Sequence, residues 1–395
     1  MTISTNIRDC IYLIENGDLS LKDIEYQTNE ICLAAVKHNA HDLGYVREQT
    51  EEICLAAVRQ NGDVLVYVKN QTYEICLEAV RKSGCSIGYV KDQTHELCLE
   101  AVNQSGYALR YIKSDKLTYE LCMIAVSKAG YSLECVSDQT EEMCIAAVKN
   151  DGYALQYVRE QTKEMCIEAM KRHGMALRYA KEQTEEICLI AVKESGWSLQ
   201  YVKDQTEEIC LEAVKNCWRS LEHVKDQTEE ICLISVRQVG WMLEHVRNQT
   251  EEICLIAIRH HGGRMLQYIR DQTEEICLEA INDDVSSLGY VKYLSEESYM
   301  RIVREAMMID ESALRYVRHI PRKSHEDLIL EAVKKNGMCL QYGCYHTMEI
   351  YQAAAVQNPE SMRYILLDKD RNKIQRFLDN LRFLKTKPAR KSIDN

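Results

Sequence analysis

Proline and phenylalanine are scarce in this chain, with three prolines and two phenylalanines among 395 residues. The first proline is Pro321, so the residues before it lack the amino acid that most often breaks helices and marks linkers. No stretch of about 18 apolar residues occurs, and no charged segment followed by an apolar run opens the chain. These absences predict a soluble protein without a transmembrane helix, a secretory leader or an internal domain boundary.

Basic residues are also fewer than acidic residues. The chain carries 49 Lys and Arg against 61 Asp and Glu, a net charge of −12. Residues 368–395 hold nine basic and four acidic side chains, which leaves residues 1–367 at −17. An acidic surface repels a phosphate backbone, so nucleic acid is an unfavourable partner for that region. The basic tail is interpreted as a solvated chain end rather than an RNA or membrane contact; it contains Lys385, Lys387, Arg390 and Lys391.

One repeated unit fills the rest of the sequence. The letters QTEEICL occur at residues 49–55 and return five times, and most neighbouring copies lie 22 residues apart. Numbered from its threonine, the unit is T-E-E-I-C-L-x-A-V-K-x-x-G-x-x-L-x-Y-V-K-D-Q, and a fixed period of this length is typical of solenoids. Copies begin at Thr28, Thr50, Thr72, Thr94, Thr118, Thr140, Thr162, Thr184, Thr206, Thr228, Thr250 and Thr273, and degenerate copies at Asn6, Tyr299, His325 and Thr347.

Each unit is predicted to contain two helices. Positions 2–11 form the first, and threonine at position 1 is a favourable N-cap because its hydroxyl accepts a backbone hydrogen bond. An alternative frame places the cap at the aspartate two residues earlier, with D-Q-T-E as a capping box. Glycine at position 13 is expected to end the helix in the left-handed conformation. A second helix of about two turns then covers positions 14–20.

We therefore predict an all-α fold, an α-solenoid or superhelix of about sixteen 22-residue helix–turn–helix repeats. Residues 1–27 are assigned to an N-terminal capping repeat and residues 28–367 to the solenoid. Residues 368–395 form a capping helix and the basic tail, because Ile374, Phe377, Leu378 and Leu381 have amphipathic spacing. The departures from the 22-residue period are interpreted as loop insertions, near residues 114–117 and 262–263, after Tyr293 and after His319.

Apolar residues at positions 4, 5, 6, 8 and 9 of the first helix, with positions 16 and 19 of the second, are the predicted core. Position 8 is alanine in 14 of the 15 units from Thr28 onward, and Ser235 is the exception. Small side chains there allow helices to approach to roughly 8–10 Å.

Cysteine occupies position 5 in thirteen units. Equivalent positions on stacked helices lie too far apart for disulfides, which require Cα atoms within about 7 Å. The column is therefore predicted to be a series of small buried apolar residues in a reducing compartment, the cytoplasm. Its members are Cys10, Cys32, Cys54, Cys76, Cys98, Cys122, Cys144, Cys166, Cys188, Cys210, Cys232, Cys254 and Cys277.

No pattern of residues indicates catalysis. The paired glutamates at positions 2–3 point about 100° apart on a helix, so their carboxylates do not converge. His223 and His245 replace tyrosine at position 18 and, with Cys217, His260 and His261, raise a metal hypothesis, but their spacing matches no metal motif. No phosphate-binding glycine loop is present. We predict no enzymatic activity, cofactor, metal or small-molecule substrate.

The unit at residues 183–204, QTEEICLIAV…GWSLQYVKD, resembles the short helical repeats of proteins from amoeba-infecting giant viruses. It also resembles a related repeat family of unknown function in intracellular bacteria, whose core motif is similar to Leu33–Asn39 and Ala154–Tyr157 here. This resemblance covers nearly all of residues 6–365 and implies an α-solenoid, without a transferable functional residue. Trp218 departs from the pattern because it replaces the expected glycine.

Position 14 varies between repeats and becomes aromatic in the middle of the chain. Positions 14 and 18 would be neighbours on an α-helix, so their rings are predicted to pair on the surface and to form an exposed strip. Tyr and Trp are frequent binding anchors, although these rings could equally pack between repeats. The candidate partner-binding residues are Tyr153, Tyr157, Trp197, Tyr201, Trp241 and His245.

The composition and the strip favour a non-enzymatic protein-binding scaffold, which would engage host proteins in the host cytoplasm if the chain is viral. A structural component that packs with other copies is the first alternative. An RNA-binding repeat array is a minor alternative, because the repeats are acidic.

Overall fold

The computed structural model describes residues 6–292, 294–318, 320–343 and 345–386, and these residues form α-helices and 3-10 helices without a β-strand. The prediction of an all-α solenoid is confirmed. The α-helices are α1 (Ile7–Glu15), α2 (Asn29–His38), α3 (Glu51–Gln60), α4 (Tyr73–Lys82), α5 (His95–Gln104), α6 (Tyr119–Lys128), α7 (Glu141–Asn150), α8 (Lys163–Arg172), α9 (Glu185–Glu194), α10 (Glu207–Asn216), α11 (Glu229–Gln238), α12 (Glu251–His261), α13 (Glu274–Asp283), α14 (Glu296–Ile309), α15 (Arg322–Lys335), α16 (Met348–Gln357) and α17 (Asp368–Thr386).

A 3-10 helix follows each of α1 to α16. The second segment of a typical repeat is therefore a six-residue 3-10 helix over positions 13–18, and the predicted second helix over positions 14–20 is corrected. These segments are Leu21–Asp23, Ala40–Tyr45, Gly62–Tyr67, Gly84–Tyr89, Gly106–Tyr111, Gly130–Cys135, Gly152–Tyr157, Gly174–Tyr179, Gly196–Tyr201, Trp218–His223, Gly240–His245, Gly263–Tyr268, Val285–Tyr290, Glu311–Tyr316, Gly337–Tyr342 and Pro359–Tyr364, and an additional one is Ser114–Lys116.

The chain divides into two compact units, Met1–Cys217 and Trp218–Asn395. Within each unit, neighbouring α-helices pack in one layer and neighbouring 3-10 helices in a second layer. Positions 4, 5, 8 and 9 of the α-helix and positions 16 and 19 after it are buried between the layers, as Ile187, Cys188, Ala191 and Leu199 illustrate. The division between the units begins at Trp218, the residue that replaces glycine, and the sequence analysis had not anticipated it.

Threonine is the N-cap of the α-helix, so the frame that begins with aspartate is wrong. The Ile53 N–H donates to the Thr50 hydroxyl at 3.4 Å, and the other repeats that begin with threonine have equivalent bonds. The threonine hydroxyl also links repeats, because Thr72 Oγ1 lies 2.9 Å from a carboxylate oxygen of Glu51 in the preceding repeat. The first glutamate of the motif can therefore accept a hydrogen bond from the threonine of the next repeat.

The glutamine that precedes most of the repeat threonines joins consecutive repeats. The Gln93 amide donates to the carbonyl of Ile87 at 2.9 Å and to that of Tyr111 at 3.0 Å. Its carbonyl oxygen accepts from the Lys113 N–H at 2.8 Å. One buried side chain thus binds the 3-10 helix before it and the end of the next 3-10 helix. Glutamine occupies this place at Gln27, Gln49, Gln71, Gln93, Gln139, Gln161, Gln183, Gln205, Gln227, Gln249 and Gln272.

Glycine at position 13 permits a close approach between repeats and does not adopt the left-handed conformation that the sequence analysis predicted. The α-helix ends at an extended residue, Asn61 (φ −143°), and Gly62 begins the 3-10 helix. A Cβ at Gly62 would lie 2.3 Å from the carbonyl oxygen of Ala79, which is position 8 of the next repeat. Of the described glycines, Gly17 and Gly262 are those with positive φ.

The long insertions lengthen helices instead of forming loops. α14 and α15 have 14 residues each, against 10 in a typical repeat, and both begin four residues before the expected position 2. The residues near 114–117 form the additional 3-10 turn Ser114–Lys116. The single insertion near 262–263 adds one residue to α12 and places Gly262 at φ +91°.

The last helix, α17, packs against α16, and its residues Ile374 and Leu378 are buried. This packing agrees with the amphipathic spacing on which the capping prediction rests. Of the basic tail, Lys387, Arg390 and Lys391 lie outside the described residues.

The substitution Gln93→Leu is expected to lower the free energy of unfolding by about 2–4 kcal/mol, because leucine leaves two carbonyls and one N–H without their partner. Gln156→Leu is the matched control, since Gln156 is exposed and should change stability by less than about 0.5 kcal/mol. Denaturant titration followed by circular dichroism measures both. Equal stability of the two variants would contradict the role given to Gln93.

Ala191→Leu is expected to cost about 1–3 kcal/mol, because Ala191 is fully buried and Gly174 of the preceding repeat lies against its carbonyl. Ile190→Glu is expected to cost little, since Ile190 is half-buried and glutamate occupies the same position at Glu168 and Glu212. Thermal melting compares the two variants. A lower melting temperature for Ile190→Glu than for Ala191→Leu would contradict the assignment of position 8 to the core and of position 7 to the surface.

Candidate functional site

The 3-10 layer presents the candidate aromatic residues. In the repeat that begins at Thr140, Ala154 and Leu155 are buried, whereas Tyr153 and Tyr157 are half-buried and Gln156 is exposed. A 3-10 helix has three residues per turn, so positions 14 and 17 share a face and position 18 is rotated away by about 120°. The α-helical spacing assumed in the sequence analysis therefore does not apply to most of these rings.

In the first unit, rings pair between repeats. Tyr131 at position 14 meets Tyr157 at position 18 of the next repeat, with ring centres 5.6 Å apart and an edge-to-face angle of 69°. Tyr153 makes the same contact with Tyr179 at 6.4 Å and 87°. Tyr153 also stacks on His173 at 4.9 Å and 14°. Burial raises the pKa of the Tyr131 and Tyr157 phenols, so both remain protonated at neutral pH.

Trp197 and Tyr201 continue this face in the first unit. Trp197 is 36% exposed and is the most accessible of the candidate tryptophans. The guanidinium of Arg178 lies 5.0 Å from the centre of the Tyr179 ring and 5.8 Å from that of Tyr201 in the following repeat. Cation–π contacts thus supplement the ring pairs.

Trp241 and His245 belong to the second unit. Trp241 meets Trp218 edge to face at 5.0 Å, and the Arg219 guanidinium lies 5.9 Å from its ring centre. Trp241 and His245, a predicted i, i+4 pair, are in ring contact at 6.3 Å. His245 Nε2 lies 3.9 Å from a carboxylate oxygen of Glu222.

The contacts connect the candidate residues with side chains outside the candidate set. Tyr131, His173 and Trp218 are ring partners of candidate residues, and Arg178 and Arg219 are their cation partners. The sequence feature that could have predicted these partners is the offset of one repeat, because position 14 of one repeat contacts position 18 of the next. The i, i+4 spacing relates positions 14 and 18 within one repeat only.

Basic side chains at position 20 bind backbone carbonyls of the preceding repeat. Lys69 Nζ donates to the carbonyl of Arg47 at 2.8 Å, and Lys181 Nζ donates to that of Arg159 at 2.5 Å. Other cations pair with glutamates between repeats, as Arg59 does with Glu78 at 2.7 Å. Much of the basic charge is thus engaged within the array.

The thiols of the position-5 column are buried and free of disulfides. Burial raises the pKa of Cys232 and Cys254 to about 11 and that of Cys277 to about 12. The Cys76 thiol points to the Gln71 amide oxygen at 3.8 Å. Such protonated, enclosed thiols are poor nucleophiles.

The histidines of the metal hypothesis are dispersed. The ring nitrogen Nε2 of His261 lies 2.9 Å from the carbonyl of Val236 and 3.1 Å from that of Arg237. Within the described part of the chain, no group of three or more His, Cys, Asp and Glu side chains could hold a metal ion. Nor does any described helix have the length and apolar composition needed to cross a membrane.

Comparison with known families supports the repeat architecture. Residues 50–228 match a family described as a domain of unknown function, DUF4116. The matches are overlapping windows of two repeats each, at 50–95, 72–118, 94–140, 118–163, 140–184, 162–206 and 184–228. The chain is thus a short-repeat protein, and no curated protein matches it.

The native protein is expected to react slowly with an aqueous thiol reagent at pH 8, because the position-5 thiols are buried and burial raises the pKa of most of them. Labelling of Cys232 and Cys254 should accelerate only as the pH approaches 11, and denatured protein should react fully at once. Half-buried Cys85 and Cys135 provide the internal comparison and should react earlier. Mass spectrometry after timed labelling locates the modified residues; rapid native labelling of Cys188, Cys210 and Cys232 would contradict a buried column.

Proposed function

We propose that this protein is a non-enzymatic scaffold that binds proteins through its aromatic 3-10 layer. The observation that carries the proposal is the accessible, variable ring surface on a regular stack. Trp197 is 36% exposed, and Tyr107 and Tyr111 of the same layer are 59% and 46% exposed. Aromatic residues beside charged groups are typical anchors of protein interfaces.

The difference between the constant and the variable positions of the repeat supports a binding function. Positions 1, 8, 13 and 22 bond or pack against the neighbouring repeat, and each keeps one residue type in most repeats. Positions 14 and 17 vary, and they lie on the exposed side of the 3-10 helix. Tyr153, Trp197 and Trp241 occupy position 14 with different ring environments, so each repeat offers a distinct contact.

The charge distribution supports a protein partner over nucleic acid. Residues 1–367 carry a charge of −17, and lysines at position 20 donate to backbone carbonyls, as Lys69 and Lys181 do. A phosphate backbone would have to compete with these bonds and overcome the repulsion. The buried thiols support both the absence of nucleophilic catalysis and a reducing compartment, the cytoplasm.

Host proteins are the partners that we propose. The resemblance of the repeat to those of amoeba-infecting giant viruses supports this step, because a viral scaffold in the host cytoplasm would meet host proteins first. Self-assembly is the competing function, and solution mass distinguishes it: a mass that stays monomeric as the concentration rises supports a scaffold for other proteins.

Replacing Trp197 by alanine is expected to weaken partner capture by about 5- to 30-fold, the loss typical of an anchor truncation, and to change thermal stability only slightly. Adding Trp241→Ala should deepen the loss of binding and lower the melting temperature modestly, since Trp241 packs on Trp218. Affinity capture from an amoebal lysate with quantitative mass spectrometry measures binding.

Tyr73→Ala is the matched control, because Tyr73 is 52% exposed on the α-helical layer and its loss should leave capture unchanged. Unchanged capture by the Trp197 variant would place the binding face elsewhere. A large fall in its melting temperature would identify Trp197 as part of the packing between repeats.

A further inference from the structure

The rings of the first unit form a ladder with a recurrent geometry. A position-14 ring lies edge to face against the position-18 ring of the next repeat, as in Tyr131–Tyr157 (5.6 Å) and Tyr153–Tyr179 (6.4 Å). Each contact therefore needs an aromatic ring at position 18.

An arginine at position 17 adds a second contact to the same ring. Arg178 lies 5.8 Å from the ring centre of Tyr201, which is position 18 of the next repeat. In the second unit, Arg315 lies 5.3 Å from the Tyr342 ring in the same relation. A position-18 ring can thus receive an edge-to-face ring and a guanidinium from the repeat before it.

Cys135 interrupts this ladder. It occupies position 18 in the repeat that begins at Thr118, where most repeats have tyrosine. The preceding repeat nevertheless supplies both of the usual partners, Tyr107 at position 14 and Arg110 at position 17. Tyr107 is 59% exposed, whereas the equivalent Tyr131 and Tyr153 are half-buried. Arg110 pairs with the Glu134 carboxylate at 3.1 Å and also lies beside the Cys135 thiol.

The missing ring leaves an open pocket of about 470 Å³. Its walls include Tyr107, Tyr111, Tyr131 and Tyr157, with Cys135 and the Arg110–Glu134 pair. The same junction between repeats carries the additional turn Ser114–Lys116 and has Leu117 in place of the usual glutamine. The repeat pattern is thus interrupted at this junction by the additional turn and by Leu117, as well as by Cys135.

We propose that this Cys135 pocket binds an aromatic side chain of the partner protein, which completes the ladder in place of the absent tyrosine. The proposal rests on the proposed function and specifies one anchor point of that interface. An entering ring would lie edge to face against Tyr107 and within reach of the Arg110 guanidinium, as the intact rungs do. A basic side chain fits less well, because Arg110 already places a cation in the pocket.

The test measures binding of 4-fluorophenol, a tyrosine-like ring, to the full chain by fluorine NMR. The wild type is expected to bind it with a dissociation constant on the order of 1 mM, the range for a fragment of this size. Cys135→Tyr should weaken binding by at least about tenfold, because the new ring fills the gap. Cys135→Ser is the matched control and should bind like the wild type. Tyr107→Ala should weaken binding by roughly two- to tenfold.

Thermal melting keeps the test decisive. Cys135→Tyr is expected to melt at the wild-type temperature or above, since its ring gains the contacts of an intact rung. A fall of several degrees would show that the gap does not have the shape of a ring and would overturn the proposal. Equal binding of 4-fluorophenol to wild type and Cys135→Tyr would also overturn it, as would binding of tetramethylammonium in preference to the phenol.

Partner capture separates this proposal from the broader one. Loss of capture with Cys135→Tyr, together with loss of 4-fluorophenol binding, supports the anchor. Retained capture with Cys135→Tyr, while Trp197→Ala still weakens it, overturns the anchor and leaves the scaffold function standing. Retained capture with Trp197→Ala, while Cys135→Tyr abolishes it, contradicts the Trp197 surface and leaves the pocket as the binding site.

Discussion

Hydrogen bonding by the glutamine of one repeat to the 3-10 helix of the next is the interaction on which the stack depends. A 3-10 helix of six residues leaves carbonyls and an N–H unpaired at its end, and burying such groups without partners is costly. Gln93 bonds the carbonyls of Ile87 and Tyr111 and the N–H of Lys113. No repeat can complete its own second helix, because the donor and acceptor come from the preceding repeat. A repeat therefore folds only as part of the array, through interactions with its nearest neighbours. This accounts for the constancy of QT in the motif, since the glutamine makes these bonds and the threonine both caps its helix and donates to the preceding glutamate.

Where the glutamine is missing, the repeat geometry changes. Leu117 coincides with an additional 3-10 turn, and the repeats that begin at Tyr299 and His325 have α-helices lengthened by a turn. Substitutes appear at some of these places. The Tyr299 hydroxyl accepts from the Arg318 N–H at 3.0 Å, which is the bond that a glutamine oxygen makes elsewhere. His346 stands before Thr347 and hydrogen-bonds the backbone of Leu340, while burial lowers the pKa of its ring. Some of the glutamine's bonds are thus retained where the glutamine is absent, and a different residue supplies them.

The sequence predicts what depends on local chemistry and fails where the cause lies in the next repeat. The bounds of the first helix and its threonine cap follow from propensity and capping, and Glu51–Gln60 matches positions 2–11. Glycine at position 13 has two possible causes, a left-handed backbone or close packing. Only the position of the Ala79 carbonyl, 2.3 Å from a Cβ on Gly62, decides between them.

The contacts of the candidate site likewise depend on the neighbouring repeat. Its residues were found from composition, but the pairing of Tyr153 with Tyr179 depends on the 3-10 geometry and on the offset of one repeat. Even Ser235, the exception at position 8, has a partner across the junction, because its hydroxyl donates to the Trp218 carbonyl at 3.0 Å.

The difference between constant and variable positions explains how a repetitive sequence can carry specificity. Backbone groups and the constant columns make the contacts between repeats, so stability is largely independent of what occupies positions 14 and 17. These positions can therefore change from tyrosine to tryptophan, methionine or arginine without breaking the glutamine bonds. Variation at position 18 has a different consequence, because that ring serves two neighbours in the preceding repeat. A histidine there preserves a ring, as His245 does beside Trp241. Cys135 does not preserve one, and it leaves Tyr107 and Arg110 oriented around a gap on the accessible layer. In such an array the absence of one side chain from a regular ladder opens a pocket, since the neighbouring repeats hold the remaining groups in place.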